Sequence, residues 1–169
     1  MTNARLLPEV ISMIEEGHTI TLPLRGFSMR PFLEDGRDKA LLGKAGQLKV
    51  GDVVLAEIRP KTYVLHRIIA INGEHITLLG DGNLTPEYCR CCNVHAIALG
   101  FFRKGRTHLD SVNNRKWRCY SRCWMALRPL RRYLLWLYRR YLQLSSWRKK
   151  TEGRRTEENT TKLNNNHHQ

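Results

Sequence analysis

No stretch of this 169-residue sequence approaches about 18 uninterrupted apolar residues, which argues against a membrane-spanning helix. The segment from Met1 to Glu16 lacks the long apolar core of a secretory signal and carries Glu9, Glu15 and Glu16. Cysteine occurs five times, an odd number. With no export signal in view, that predicts reduced thiols in the cytosol rather than a disulfide framework. Cys89, Cys91 and Cys92 could seed a metal site with Cys119 and Cys123. Their Cys-x-Cys-Cys spacing departs from paired Cys-x-x-Cys knuckles, so they read as plain thiols and no metal is expected.

Acidic residues are nearly missing from one segment. Residues 103–150 hold 15 Lys and Arg against a single acid, Asp110, whereas residues 1–102 hold 11 of each sign and residues 151–169 hold three of each. The whole net charge of +14 therefore sits in one arm. Such an arm calls for an anionic partner, either lipid or nucleic acid.

What is present reads as four parts. Leu6, Leu7, Val10, Ile11 and Ile14 share one helical face and Gly17 suits a C-terminal cap, so residues 1–18 form a short helix packed on the core. From 19 to 104, short apolar or alternating runs are separated by Gly, Pro and Lys. They include Ile20-Leu22-Leu24, Ala40–Leu42, Val53–Ala56, Tyr63–Ile71 and Val94–Phe102. That punctuation predicts a mainly β domain, a compact barrel or sandwich. Residues 105–150 form the basic helical arm, and residues 151–169 a polar, disordered tail.

Within the β domain, Asn72-Gly73 predicts a hairpin with a two-residue type I′ turn. With those two as the loop, Ile71 faces Glu74, Ile69 faces Ile76, His66 faces Leu79 and Val64 faces Asp81. His66 and Asp81 then share one face as diagonal neighbours, with backbones about 7–8 Å apart, close enough for an imidazole–carboxylate bond. A slip of one residue would put Asp81 on the other face.

Upstream, Gly26 breaks the strand that Ile20, Leu22 and Leu24 define, and Pro31 stops a regular continuation. Ser28 is thus presented on a turn at a strand end, a seat for a nucleophile. A serine hydroxyl needs a base to take its proton. His66 titrates near neutrality and suits that task, and Asp81 would hold the imidazole in the useful tautomer. Lys61 is the other nearby basic group. His75 and His95 have no partner motif and read as ordinary strand residues.

Three segments in order, Gly26-Phe27-Ser28-Met29-Arg30-Pro31, His66-Arg67-Ile68 and Gly80-Asp81-Gly82-Asn83, resemble the signal peptidase I family in its serine–histidine form. The similarity spans roughly Thr19 to Gly100, and the LexA-type self-cleaving proteases are more distant relatives. The resemblance implies a signal-peptidase-type β core and a cofactor-free serine endopeptidase that cuts a leader or an internal site of a polypeptide. It implies Ser28 as nucleophile, His66 as base and Asp81 as orienting acid, with Gly26, Met29 and Arg67 positioning the oxyanion or substrate. Two departures stand out: Gly26 where the family often has a serine, and no N-terminal membrane anchor. The alternatives are a non-catalytic peptide-binding barrel and a LexA-type self-cleaving regulator.

In the arm, Trp117, Tyr120, Trp124 and Leu127 recur at helical spacing. Pro129 then opens a second segment in which Leu130, Tyr133, Leu134, Leu137, Tyr138, Tyr141 and Leu142 form a stripe, with Arg128, Arg132 and Arg139 opposite. A wide aromatic stripe set against arginines predicts a helix lying in an anionic membrane interface, with Leu130, Tyr133, Leu134, Leu137 and Tyr141 facing lipid. The alternatives, in order, are a helix that packs its stripe on the barrel and solvates its charges, and one that binds nucleic acid by phosphate contacts with aromatic interleaving. The expected location is cytoplasmic, peripheral at the inner face of the membrane.

Overall fold

A computed structural model describes residues 3–145, apart from 105 and 107. The tail expected at 151–169 and the last residues of the arm, 146–150, lie outside the described residues. The chain divides into two compact units between Pro129 and Leu130.

The first unit opens with helix α1 (Asn3–Glu15), whose apolar face buries Val10, Ile11 and Ile14. Gly17 ends it with φ +100°, and the N–H groups of Gly17 and His18 bond back to Ile14 O and Met13 O. That left-handed cap explains the glycine. Eight strands follow: β1 (Ile20–Pro23), β2 (Lys39–Lys44), β3 (Val53–Arg59), β4 (Thr62–Asn72), β5 (His75–Leu79), β6 (Glu87–Arg90), β7 (Val94–Phe102) and β8 (Asp110–Ser111). They form one antiparallel sheet in the order β1-β2-β7-β3-β4-β5-β6, with β8 against β7. The sheet is open, so the expected closed barrel or two-sheet sandwich becomes a single sheet with two ends.

β3 shows why the run Val53-Val54-Leu55-Ala56 is continuously apolar. Alternate residues point to opposite faces, and both faces are covered. Val53 and Leu55 join a cluster with α1, Leu24, Met29, Leu33, Phe101 and Trp117. Val54 and Ala56 join another with Ile68, Ile76 and Leu78.

Helix α2 (Arg115–Ala126) begins at Asn114, whose side chain accepts from the N–H of Lys116. Its stripe packs against the sheet: Trp117 lies 4.7 Å from the Phe101 ring, and Phe32 lies 3.8 Å from Tyr120 and 5.2 Å from Trp124. The boundary expected after Lys104 therefore falls after Pro129, and the first half of the basic arm belongs to the β unit. Within the second unit, helix α3 covers 131–145. There Tyr133, Trp136, Leu137 and Tyr141 are exposed, as is Leu130 just before it, while Leu134 is half-buried. Among the described residues no helix is long and apolar enough to cross a membrane.

Candidate active site

The β4–β5 hairpin forms where the sequence places it, in a different register. Asn72 pairs with His75, so Gly73 and Glu74 are the two central residues, and Gly73 takes φ +58°. A positive φ at the first central residue alone is the signature of a type II′ turn, not type I′. Farther along, Ile68 pairs with Leu78 while Ala70 pairs with Thr77, leaving Ile69 as a bulge. The two changes leave a net displacement of one residue at the site. Arg67 faces Leu79, where His66 was expected.

That displacement re-sorts the charged groups by face. Asp81 becomes the diagonal neighbour of Arg67, and its carboxylate accepts from Arg67 Nε at 2.9 Å and Nη2 at 2.8 Å. Arg67 Nη1 donates to Gly51 O at 2.9 Å and Ser121 Oγ at 2.8 Å, and Tyr120 Oη donates to Asp81 Oδ2 at 3.0 Å. The guanidinium lies 5.7 Å from the centres of both the Trp117 and Tyr120 rings. Arg67 is 0% and Asp81 1% exposed. Burial disfavours the guanidinium's charge, but Asp81 and then Tyr120 outweigh it and raise the Arg67 pKa above its usual value. This is a closed clasp between β4, the loop after β5 and α2. Arg67 thus does not line the groove beside Ser28, and Asp81 bonds Arg67 rather than His66.

His66 projects from the opposite face of β4, beside Val54 of β3. Continuing the β4–β5 ladder by one residue places Gly80 across from it. A Cβ on Gly80 would stand 3.0 Å from His66 Nε2 and 2.5 Å from the carbonyl oxygen of Ser28. A Cβ on Gly82 would lie 2.7 Å from Phe27 O, and Gly82 N–H donates to Ser28 O at 2.7 Å. The two glycines of Gly80-Asp81-Gly82 thus let the loop press against the serine turn on one side and admit the imidazole on the other. The ring also reaches past Gly80 to β6, where Glu87 Oε2 is 2.6 Å from Nδ1. At that distance the carboxylate is within reach of a proton on Nδ1, and both its charge and its hydrogen bonding favour the protonated ring. His66 is 3% exposed, and burial lowers its pKa below the usual 6.5 against the opposing pull of Glu87 and, less, Asp81. Burial thus favours the neutral imidazole, the form a base requires.

Ser28 and His66 line one groove of about 510 Å³, together with Gly26, Met29, Asn83 and Glu87. Its walls are apolar, with Leu6 and Leu7 from α1, Leu22 and Leu24 from the β1 end, and Tyr63 and Leu65 from β4. Among the described residues the Ser28 hydroxyl has no hydrogen bond to His66. The Gly26 N–H, a potential oxyanion donor, is taken by Asp35 Oδ1 at 3.0 Å, with Gly26 at φ +84°. Among the described residues the N–H groups of Phe27, Ser28 and Met29 donate no hydrogen bond, and that of Ser28 itself is the donor nearest the nucleophile. Lys61 is exposed at φ +61° in the β3–β4 turn, its N–H given to Glu57, and does not line this groove.

His75 and His95 lie elsewhere, His95 Nε2 being 3.8 Å from Glu57 Oε2. All five cysteines are free thiols, and no metal-binding cluster occurs among the described residues. Sequence reasoning missed Glu87, and it ranked the packing of the arm on the barrel, which α2 adopts, behind lipid. Glu87 stands in no motif, and only the pairing Leu78–Glu87 in β6 brings it onto the face of His66. No family model matches the chain, and no curated protein matches its sequence.

Proposed function

We propose that this chain is a serine endopeptidase of the signal peptidase I type, with Ser28 as nucleophile and His66 as base. The observation that carries the reading is the convergence of Ser28 and His66 on Gly80. Three segments distant in sequence meet where a single Cβ would collide with both. The resemblance of those same segments to the serine–histidine signal peptidases adds to it, and the apolar groove is of a kind that takes an extended peptide.

In this mechanism the Ser28 hydroxyl attacks the peptide carbonyl carbon and its proton passes to His66 Nε2. The oxyanion that forms is held by the Ser28 N–H. The imidazolium then protonates the leaving amine, and water repeats the sequence on the acyl-enzyme. Asp81 serves by holding the loop and Arg67 rather than the imidazole. The substrate is a polypeptide leader or internal site, and no cofactor is used.

We propose in addition that α3 lies against an anionic lipid surface at the inner face of the membrane. Exposed Leu130, Tyr133, Leu137 and Tyr141 support this, with half-buried Leu134 beside them and exposed Arg132, Arg139 and Arg140 on the same short helix.

The experiment for the protease reading is labelling by a fluorophosphonate followed by peptide mapping. Adduct on Ser28 in the parent and none in Ser28→Ala supports it. An equal extent of labelling in both refutes it.

A further inference from the structure

We infer that Glu87 is the positioning carboxylate of His66, holding the proton on Nδ1 so that Nε2 faces the Ser28 turn unprotonated. The inference rests on the reading of His66 as base and adds a residue to that site.

Three observations carry it. The first is reach: Oε2 of Glu87 is 2.6 Å from Nδ1, the nitrogen on the far side of the ring from Gly80 and Ser28. The second is that the other nearby carboxylate is committed elsewhere. Both oxygens of Asp81 are held by Arg67, one also by Tyr120, on the opposite face of the hairpin. The third is the path. β5 lies between β4 and β6, and a side chain at the residue facing His66 would block an imidazole from crossing it. That residue is Gly80. The glycine that lets the serine turn close in also opens the line from His66 to Glu87.

Glu87 is about one-third exposed at its side chain, whereas His66 is nearly fully enclosed. The charged groups whose influence reaches the ring are few. Glu87 comes from β6 and Asp81 from the loop after β5, Arg25 lines the same groove, and β3 offers only Val54.

The test uses the full chain labelled with 15N in its histidine rings, with His66 assigned by its loss in His66→Asn. In the parent at neutral pH, Nδ1 should carry the proton and Nε2 should not. Glu87→Gln should move the His66 titration midpoint downward and allow the Nε2–H tautomer to appear. Glu87→Asp should recover part of both effects. Asp81→Asn should move the midpoint less than Glu87→Gln does. Inactivation by diisopropyl fluorophosphate should slow about tenfold or more in Glu87→Gln, with partial rescue by Glu87→Asp.

An unchanged tautomer and midpoint in Glu87→Gln would overturn the inference. So would a larger shift in Asp81→Asn than in Glu87→Gln. If the spectral contrast holds but the parent does not react with the fluorophosphate, the pairing stands and the hydrolase reading falls.

Discussion

Replacing Asp81 by asparagine separates two roles for this acid. If it orients His66, the loss is catalytic; if it closes the clasp on Arg67, the loss is in stability. The structure favours the second. The Arg67 guanidinium is fully buried and directs two of its four hydrogen bonds to Asp81. Asparagine keeps the shape and one acceptor but leaves a buried positive charge without a counter-charge. Breaking a buried pair from one side costs about 3–5 kcal/mol, against a total stability of about 5–15 kcal/mol for a domain. For a unit of this size, about 3–5 °C of Tm is lost per kcal/mol, so a fall of roughly 10–20 °C is expected. Differential scanning calorimetry with a urea titration at pH 7 measures it. Replacing both partners, Arg67→Met with Asp81→Leu, should return much of the loss because no charge is left stranded. The reasoning fails if Asp81→Asn costs less than about 1 kcal/mol while fluorophosphonate labelling collapses.

Other outcomes are expected. Gly80→Ala forces a Cβ to within 2.5 Å of Ser28 O and 3.0 Å of His66 Nε2, so labelling of Ser28 should drop at least as far as in any change to the groove walls, read by intact-mass kinetics. Because burial depresses the His66 pKa, the labelling rate should be flat at neutral pH and fall only below about pH 6.5; a rate still climbing above pH 8 would point to Lys61. The stability linked to keeping His66 neutral is likewise present above about 6.5 and lost as pH falls from there through the lower folded value, measurable by urea midpoints. Leu134→Glu with Leu137→Glu keeps every arginine, and should abolish flotation with phosphatidylserine vesicles beyond the effect of two added acids; unchanged flotation would remove the lipid reading of α3.

Much of the fold is legible in the residues. Helix α1 ends where Gly17 was expected to cap it, and the strands follow the apolar runs, with β7 spanning Val94–Phe102 as read. The register of β4 on β5 was not legible. Asn-Gly is compatible with more than one two-residue loop, and nothing in Ile68-Ile69-Ala70 announces a bulge. The error mattered because one residue decides which face a side chain takes. The same slip gave Asp81 to Arg67 and freed His66 for Glu87. The docking of α2 was ranked behind lipid for another reason. Trp117, Tyr120 and Trp124 among arginines suit a lipid surface as well as they suit Phe32 and Phe101. Spacing gives the stripe of a helix but not what lies against it.

The clasp and the groove share a single structural element, and that coupling follows from β geometry. Neighbouring residues of β4, His66 and Arg67, point to opposite faces, one into the groove and one under α2. The loop Gly80-Asp81-Gly82 repeats the alternation: Gly80 and Gly82 press on the serine turn while Asp81 turns away to Arg67. The ion pair therefore fixes the backbone whose glycines seat Ser28, with no atom of the pair in the groove itself. A change at Ser121 or Tyr120 loosens that backbone from a distance. It should lower the fraction of molecules in which the serine turn is seated without altering the His66 titration. Alteration at Glu87 should do the reverse, shifting the titration while leaving thermal stability near that of the parent. Two acids fourteen and twenty-one residues beyond His66–Arg67 thus divide the labour, with Asp81 holding the loop and Glu87 holding the ring.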